Sequence, residues 1–127
     1  TEPARREMLD RYVRAFETSD VRLLAALLRE DIVIEMPPVA LWIAGLEPVF
    51  RFLAEQFPVC GQFRLLETSA NGQPAFAVYR RQADGAFVPR GIHVLSMTAA
   101  GIDHLVSFLD PSLFPAFGLP PALPADA

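Results

Sequence analysis

Cysteine is almost missing from this chain and lysine is missing altogether. One cysteine, Cys60, excludes an internal disulfide framework and a cysteine-rich zinc site. No basic residue neighbours Cys60 and Gly61 follows it, so nothing local marks it as a nucleophile. The absence of lysine, beside many alanines and 12 prolines, points to a GC-rich coding bias rather than to chemistry. The 11 arginines are scattered and end at Arg90, and they are outnumbered by 15 acidic residues for a net charge of −4. That balance makes a poor nucleic-acid surface, so no direct nucleic-acid contact is expected. No apolar run approaches the roughly 18 residues of a membrane span, and no charged-then-apolar leader opens the chain, so the expected compartment is the cytoplasm. The two histidines, His93 and His104, lie eleven apart without clustered ligand spacing, so no metal is expected. There is no phosphate loop, dinucleotide turn or G-x-S-x-G, and no cofactor is expected.

What is present is apolar. Of 127 residues, 52% are hydrophobic and mean hydropathy is +0.28. This suits one domain with a real core, spanning 1–127. Residues 3–17 read as a helix, with Met8, Leu9, Tyr12, Val13 and Phe16 on one stripe. Asp20 is the N-cap expected for a second short helix carrying Val21, Leu24, Leu27 and Leu28 and ending near Arg29. Residues 32–36 alternate as a strand that Pro37-Pro38 stops. Residues 41–44, with Trp42, read as an apolar loop ended by Gly45, and 47–57 as a third helix. Asn71-Gly72 and Asp84-Gly85 are strong hairpin turns and Ala100-Gly101 a weaker one. They separate strands at about 63–70, 73–82, 87–99 and 102–110, an antiparallel meander. The Pro-rich tail, 111–127, is expected to pack as a short turn and then fray.

Simple two-residue hairpins predict a register. Phe76 faces His93, Val78 faces Gly91 and Arg80 faces Pro89; Met97 faces His104, Leu95 faces Val106, His93 faces Phe108 and Gly91 faces Asp110. One face then carries Phe76, Val78, Arg80, His93, Leu95, Met97, Val106, Phe108 and Asp110. A one-residue bulge breaks this register. Three helices and a curved meander predict an α+β cone whose sheet wraps a helix and encloses a pocket, the usual seat of a small ligand.

On that register His93 and Asp110 are diagonal neighbours and form a candidate acid–base pair. The simpler reading makes His93 a half-buried strand residue and Asp110 the cap of the Pro111 turn. Glu35 is a second candidate carboxylate, with Arg80 and Asp110, although its alternation with Ile34 and Met36 directs it to solvent. Trp42 is either a lid on the pocket or an apolar plug. Tyr12, Phe16, Phe52 and Phe57 are core residues at helical spacing, some of them candidate pocket lining. His104 is a candidate to join His93 on the inner face, but a metal there needs a third ligand, and none stands out.

The order of helix hairpin, strand, Trp loop, helix and meander resembles the NTF2-like, SnoaL-like superfamily. Leu9-Asp10-Arg11-Tyr12-Val13 with Ala15-Phe16-Glu17, Met36-Pro37-Pro38 with Leu41-Trp42 and Gly45, Ala70-Asn71-Gly72-Gln73-Pro74-Ala75-Phe76 with Tyr79-Arg80, and Phe108-Leu109-Asp110 with Leu113-Phe114 and Phe117-Gly118-Leu119-Pro120 carry a closer resemblance. They are similar to the SnoaL-like extension of actinobacterial extracytoplasmic-function sigma factors. The resemblance implies an NTF2-like cone, three N-terminal helices packed on a curved antiparallel sheet. It also implies a domain excised from a longer chain, which suits a start at Thr1. Such a domain regulates transcription initiation. It contacts the sigma-factor core regions and, through them, RNA polymerase, and senses an apolar small molecule through Trp42, Tyr12, Phe16, Phe52, Phe76, Arg80, His93, Phe108 and Asp110. The alternative is a stand-alone SnoaL-like enzyme of the polyketide cyclase, isomerase or epoxide hydrolase type. Asp110 then stands where such cyclases carry a catalytic aspartate, with Arg80 or His93 as its partner. A third reading is a homodimerisation module, since sheets of this superfamily pair back to back.

Overall fold

A computed structural model describes residues 2–125, apart from the side chain of Cys60. The reading of Cys60 as a non-nucleophile therefore lies outside the described side chains. Helix α1 spans Glu2–Glu17 and buries the stripe of Leu9, Tyr12 and Phe16. Asp20 caps α2 (Val21–Leu27) as expected, its carboxylate accepting the Leu23 N–H at 3.0 Å. Strand β1 (Leu28–Glu35) starts earlier than the periodicity implies, because Leu28 already pairs with Ile102 across the sheet. Residues Trp42–Ala44 form a short strand, β2, not the expected loop: they pair antiparallel with Val33, Ile34 and Glu35. Three residues are too few to show a period, and pairing with β1 decides their conformation. Gly45, at φ 95°, then turns the chain into α3 (Leu46–Cys60).

The meander is present as β3 (Phe63–Ala70), β4 (Gln73–Arg81), β5 (Phe87–Thr98) and β6 (Gly101–Phe108). The six-stranded sheet runs β2-β1-β6-β5-β4-β3. All neighbours are antiparallel except β1 and β6, which run parallel. At the β3 margin the Leu65 N–H donates to the Glu17 carboxylate of α1 at 3.0 Å.

Two bulges correct the predicted register. The β5–β6 turn is Ala99-Ala100, one residue earlier than the expected Ala100-Gly101, so Thr98 faces Gly101 and Met97 faces Ile102; Ser96 then faces His104, which makes Asp103 an extra residue. Beyond it every pair is one step from the simple prediction: His93 faces Ser107, and Ile92 faces Phe108. Val106 and Phe108 consequently lie on the outer face, not the inner one. Between β4 and β5 the loop is the three residues 83–85, not the two-residue Asp84-Gly85 turn, so Arg80 faces Val88 and Tyr79 faces Pro89; beyond these, Val78–Gly91 and Phe76–His93 hold as predicted. Arg90 is the bulged residue.

The helices cover the inner face, where Phe76, Val78, Leu95, Ile102, Leu105, Ile32 and Ile34 pack against Leu9, Tyr12, Phe16, Leu53 and Phe57. The tail covers part of the outer face. Two 3-10 turns, Pro111–Leu113 and Pro115–Phe117, bury Phe114 against Tyr79, ring centroids 5.2 Å apart. The Tyr79 hydroxyl donates to the Pro120 carbonyl at 2.8 Å, and Leu123 exchanges backbone hydrogen bonds with Phe87. The tail is thus anchored as far as Leu123, further than a turn that frays.

Candidate functional site

Between α3 and the inner face lies a cavity of about 70 Å³. Its floor is buried and made of Phe16, Ile34, Leu53, Phe57, Phe63, Val78, Leu105, His93 and Ser107. Its half-exposed rim is Met36, Phe52, Gln56, Arg90 and Leu109. At roughly 30 Å³ per liquid water the space corresponds to about two waters, well short of the roughly 300–1,000 Å³ of pockets for drug-sized ligands.

His93 is the polar centre of the floor. Its Nδ1 lies 2.8 Å from the Tyr12 hydroxyl, and the Phe16 ring meets it edge-on at 5.1 Å. Burial, with a smaller contribution from the positive charge of Arg90, lowers the imidazole pKa to about 3, so His93 is neutral at pH 7. Burial pushes the Tyr12 hydroxyl well above 10, so it keeps its proton. Donation from Tyr12 to Nδ1 satisfies that proton, whereas the reverse bond would leave it unpaired in the core. The ring proton of His93 is therefore assigned to Nε2.

Arg90 reaches this face through its bulge. Strict alternation along β5 would point it outward with Ile92 and Val94. The extra residue turns its guanidinium to the cavity, 5.5 Å from the Phe63 ring centroid. Gly91 makes the crossing feasible: a Cβ there would stand 2.3 Å from the Phe108 carbonyl oxygen. Arg90, Gln56, Ser107, Met36 and Leu109 are wall residues that sequence reasoning did not select. A glycine inside a strand was the available signal of the bulge beside Arg90.

Of the residues expected at the pocket, Phe16, Phe52, Phe57 and His93 line it. Tyr12 and Phe76 are fully buried behind the wall, their rings stacked at 5.4 Å. Arg80 shares the inner face but is exposed beside Gly61 and stands off the wall. Phe108 is on the outer face because of the Asp103 bulge. Asp110 does not meet His93: its carboxylate accepts from the Ser112 N–H at 3.1 Å and the Ser112 hydroxyl at 2.6 Å, capping the Pro111 turn. Trp42 is 65% exposed on β2, facing Glu35, and does not border the cavity. Glu35 itself pairs with His104 on the outer face, Oε2 to Nε2 2.5 Å. His104 therefore does not join His93. Among the described residues no group of three or more His, Cys, Asp or Glu side chains is placed to hold a metal.

Residues 9–107 match the family described as SnoaL-like domain. Over 123 residues, 95% of this chain, the sequence is 41% identical to the extracytoplasmic-function RNA polymerase sigma factor SigG of Mycobacterium tuberculosis. The chain spans about a third of that relative, 33% of its length. An NTF-2 like protein of Burkholderia xenovorans LB400 superposes with a TM-score of 0.70 at 12% identity, covering 86% of this chain and 84% of that one. An NTF2-like protein of Mesorhizobium loti gives 0.69 at 20% identity, covering 85% and 92%. At such identities these two likenesses speak to the fold alone, which is NTF2-like.

Proposed function

The chain belongs to the family of SnoaL-like domains, and from that we propose that it is a regulatory domain of an extracytoplasmic-function sigma factor, modulating transcription initiation. The observation that carries this reading is the 41% identity with SigG over 95% of the chain. The 127 residues then form one domain, the C-terminal extension of a longer cytoplasmic protein. Its partners are the sigma core regions and, through them, RNA polymerase, and its ligand is a small apolar molecule held in the cavity under α3.

The test is promoter-dependent transcription by RNA polymerase with the full-length protein and with a form lacking these residues. A change in initiation on removal is expected. Equal initiation by both forms would overturn the regulatory reading.

One observation favours a second reading, an acid–base enzyme: the Tyr12–His93 pair stands at the cavity floor. Against it, no carboxylate among the described residues lines the cavity, and an imidazole with a pKa of about 3 is a weak base at neutral pH. That reading requires a bell-shaped pH–rate profile and its loss in His93→Gln.

A further inference from the structure

The tail leaves part of the outer face uncovered, and a groove of about 340 Å³ runs beside it. Its base is Ile92 and Val94 of β5 with Val106 and Phe108 of β6, and one wall is Leu113 and Phe117 of the tail. All of these but Ile92 are half-buried, so each still turns apolar surface to water. No charged side chain among the described residues lines the groove, in a chain that is 20% charged. An aliphatic or aromatic anchor suits such a base. The β3–β4 turn closes one end with Asn71 and Gln73. The Gln73 amide already donates to the Leu95 carbonyl at 3.4 Å, which leaves its oxygen as an acceptor, and the exposed Asn71 carboxamide offers both donor and acceptor. Those groups match the backbone of an extended peptide segment.

Where α1 begins says which segment that is. On the other side of the same turn, Glu2, Arg5 and Arg6 of α1 line a second groove together with Gly72, Gln73 and Pro74. Gln73 borders both grooves. The chain therefore enters α1 beside the hairpin tip whose far side closes the outer groove. Ten residues of extended chain span roughly 33 Å, about the diameter of a small domain, so the stretch before α1 can round the tip. The matched region is 33% of the SigG relative, so a parent of that kind has chain to spare. A tethered segment also meets the groove at an effective concentration on the order of mM. The tail favours it over a second copy: the 3-10 turns stand above the sheet, so a flat partner sheet would strike them where a narrow segment passes.

We propose that the groove holds an extended apolar segment of the parent polypeptide, the stretch immediately before α1, folded back over the β3–β4 turn. This rests on the reading of the chain as one domain of a longer sigma factor and names the surface on which the rest of that protein meets it.

The test places p-benzoylphenylalanine, a photoreactive relative of phenylalanine, at Phe117 of the purified full-length protein. Cross-linked peptides are identified by mass spectrometry. An adduct with the stretch before α1 is expected, at a yield that tenfold dilution leaves unchanged. The same probe at Arg51, exposed on α3 across the sheet, should not give that adduct. Val106→Glu, which puts a charge on the groove base, should lower the yield at least fivefold. Val106→Thr keeps nearly the same shape and should lower it about threefold if the glutamate variant fails to fold. Adducts that miss the stretch before α1, whether within these 127 residues or with a second copy, would overturn the docking. A change in initiation on removal of the domain would then leave the regulatory reading standing. Equal initiation with the adduct present would strike that reading and leave the docking.

Discussion

The sheet has two apolar faces, and they are covered in different ways. The inner face meets three helices and keeps a cavity with a neutral imidazole, a serine and an arginine on its wall. The outer face meets a short run of proline-punctuated turns that drop one aromatic, Phe114, onto Tyr79. Helices packed at a distance set by large side chains leave room between themselves and a curved sheet. A tail that follows the last strand directly can settle onto it as a plug. The difference separates two tasks: the inner covering shapes a site, and the outer covering closes the fold.

If that division is right, damage to the outer covering costs stability and spares binding at the cavity. Phe114→Ala should produce the largest effect, a loss of about 3–5 kcal/mol in denaturant unfolding, because it empties a buried aromatic site. Tyr12→Phe attacks the inner side. It removes the donor to His93 Nδ1 inside the core, with an expected cost of about 1–3 kcal/mol and displaced His93 resonances.

The pH dependence sharpens the same contrast. The folded-state pKa of His93, about 3, lies below the unfolded value near 6.5, so the unfolded chain binds the proton that the folded chain refuses. The stability owed to neutral His93 is complete above about pH 6.5 and is lost as pH falls toward about 3. The slope is about 1.4 kcal/mol per pH unit. Between pH 6.5 and 5, above most carboxylate titration, the wild type should weaken faster than His93→Phe in parallel urea melts. Asp110→Ala should have the smallest effect, about 1 kcal/mol from the lost cap, with the His93 imidazole resonances unmoved. A large displacement of those resonances in that variant would put Asp110 back at the site.

Much of this architecture was readable before the structure. The α1 stripe, the Asp20 cap and the Asn71-Gly72 turn are local signals, and each appears where the residues indicate. Pairing in β3–β4 followed from turn chemistry; in β4–β5 the loop is one residue longer than a two-residue turn, and the Arg90 bulge offsets it so that Val78–Gly91 and Phe76–His93 come out as expected. The site was less legible, for one physical reason. A single extra residue flips every side chain beyond it, and two such residues, Asp103 and Arg90, lie between the turns and the cavity. The first sent Phe108 outward and separated His93 from Asp110. The second brought Arg90 inward. Tyr12 was in view as a core residue. Its hydrogen bond to His93, 81 positions along the chain, depends on how α1 docks on the sheet, which no local pattern encodes.

The contact between Glu17 and the Leu65 amide has a further consequence, at the scale of many molecules. An open sheet has two margins, and each is a template on which another chain can add a strand. Here one margin is β2, only three residues long and preceded by Pro37-Pro38, which can donate no amide hydrogens. On the other margin, β3, a carboxylate from α1 already occupies a backbone donor. One end of the sheet is thus too short for a long added strand, and at the other an added strand would have to displace the Glu17 carboxylate from the Leu65 amide. At high concentration, self-association of this domain is directed away from aggregation through its edges and toward its faces, where side chains rather than exposed backbone decide what binds.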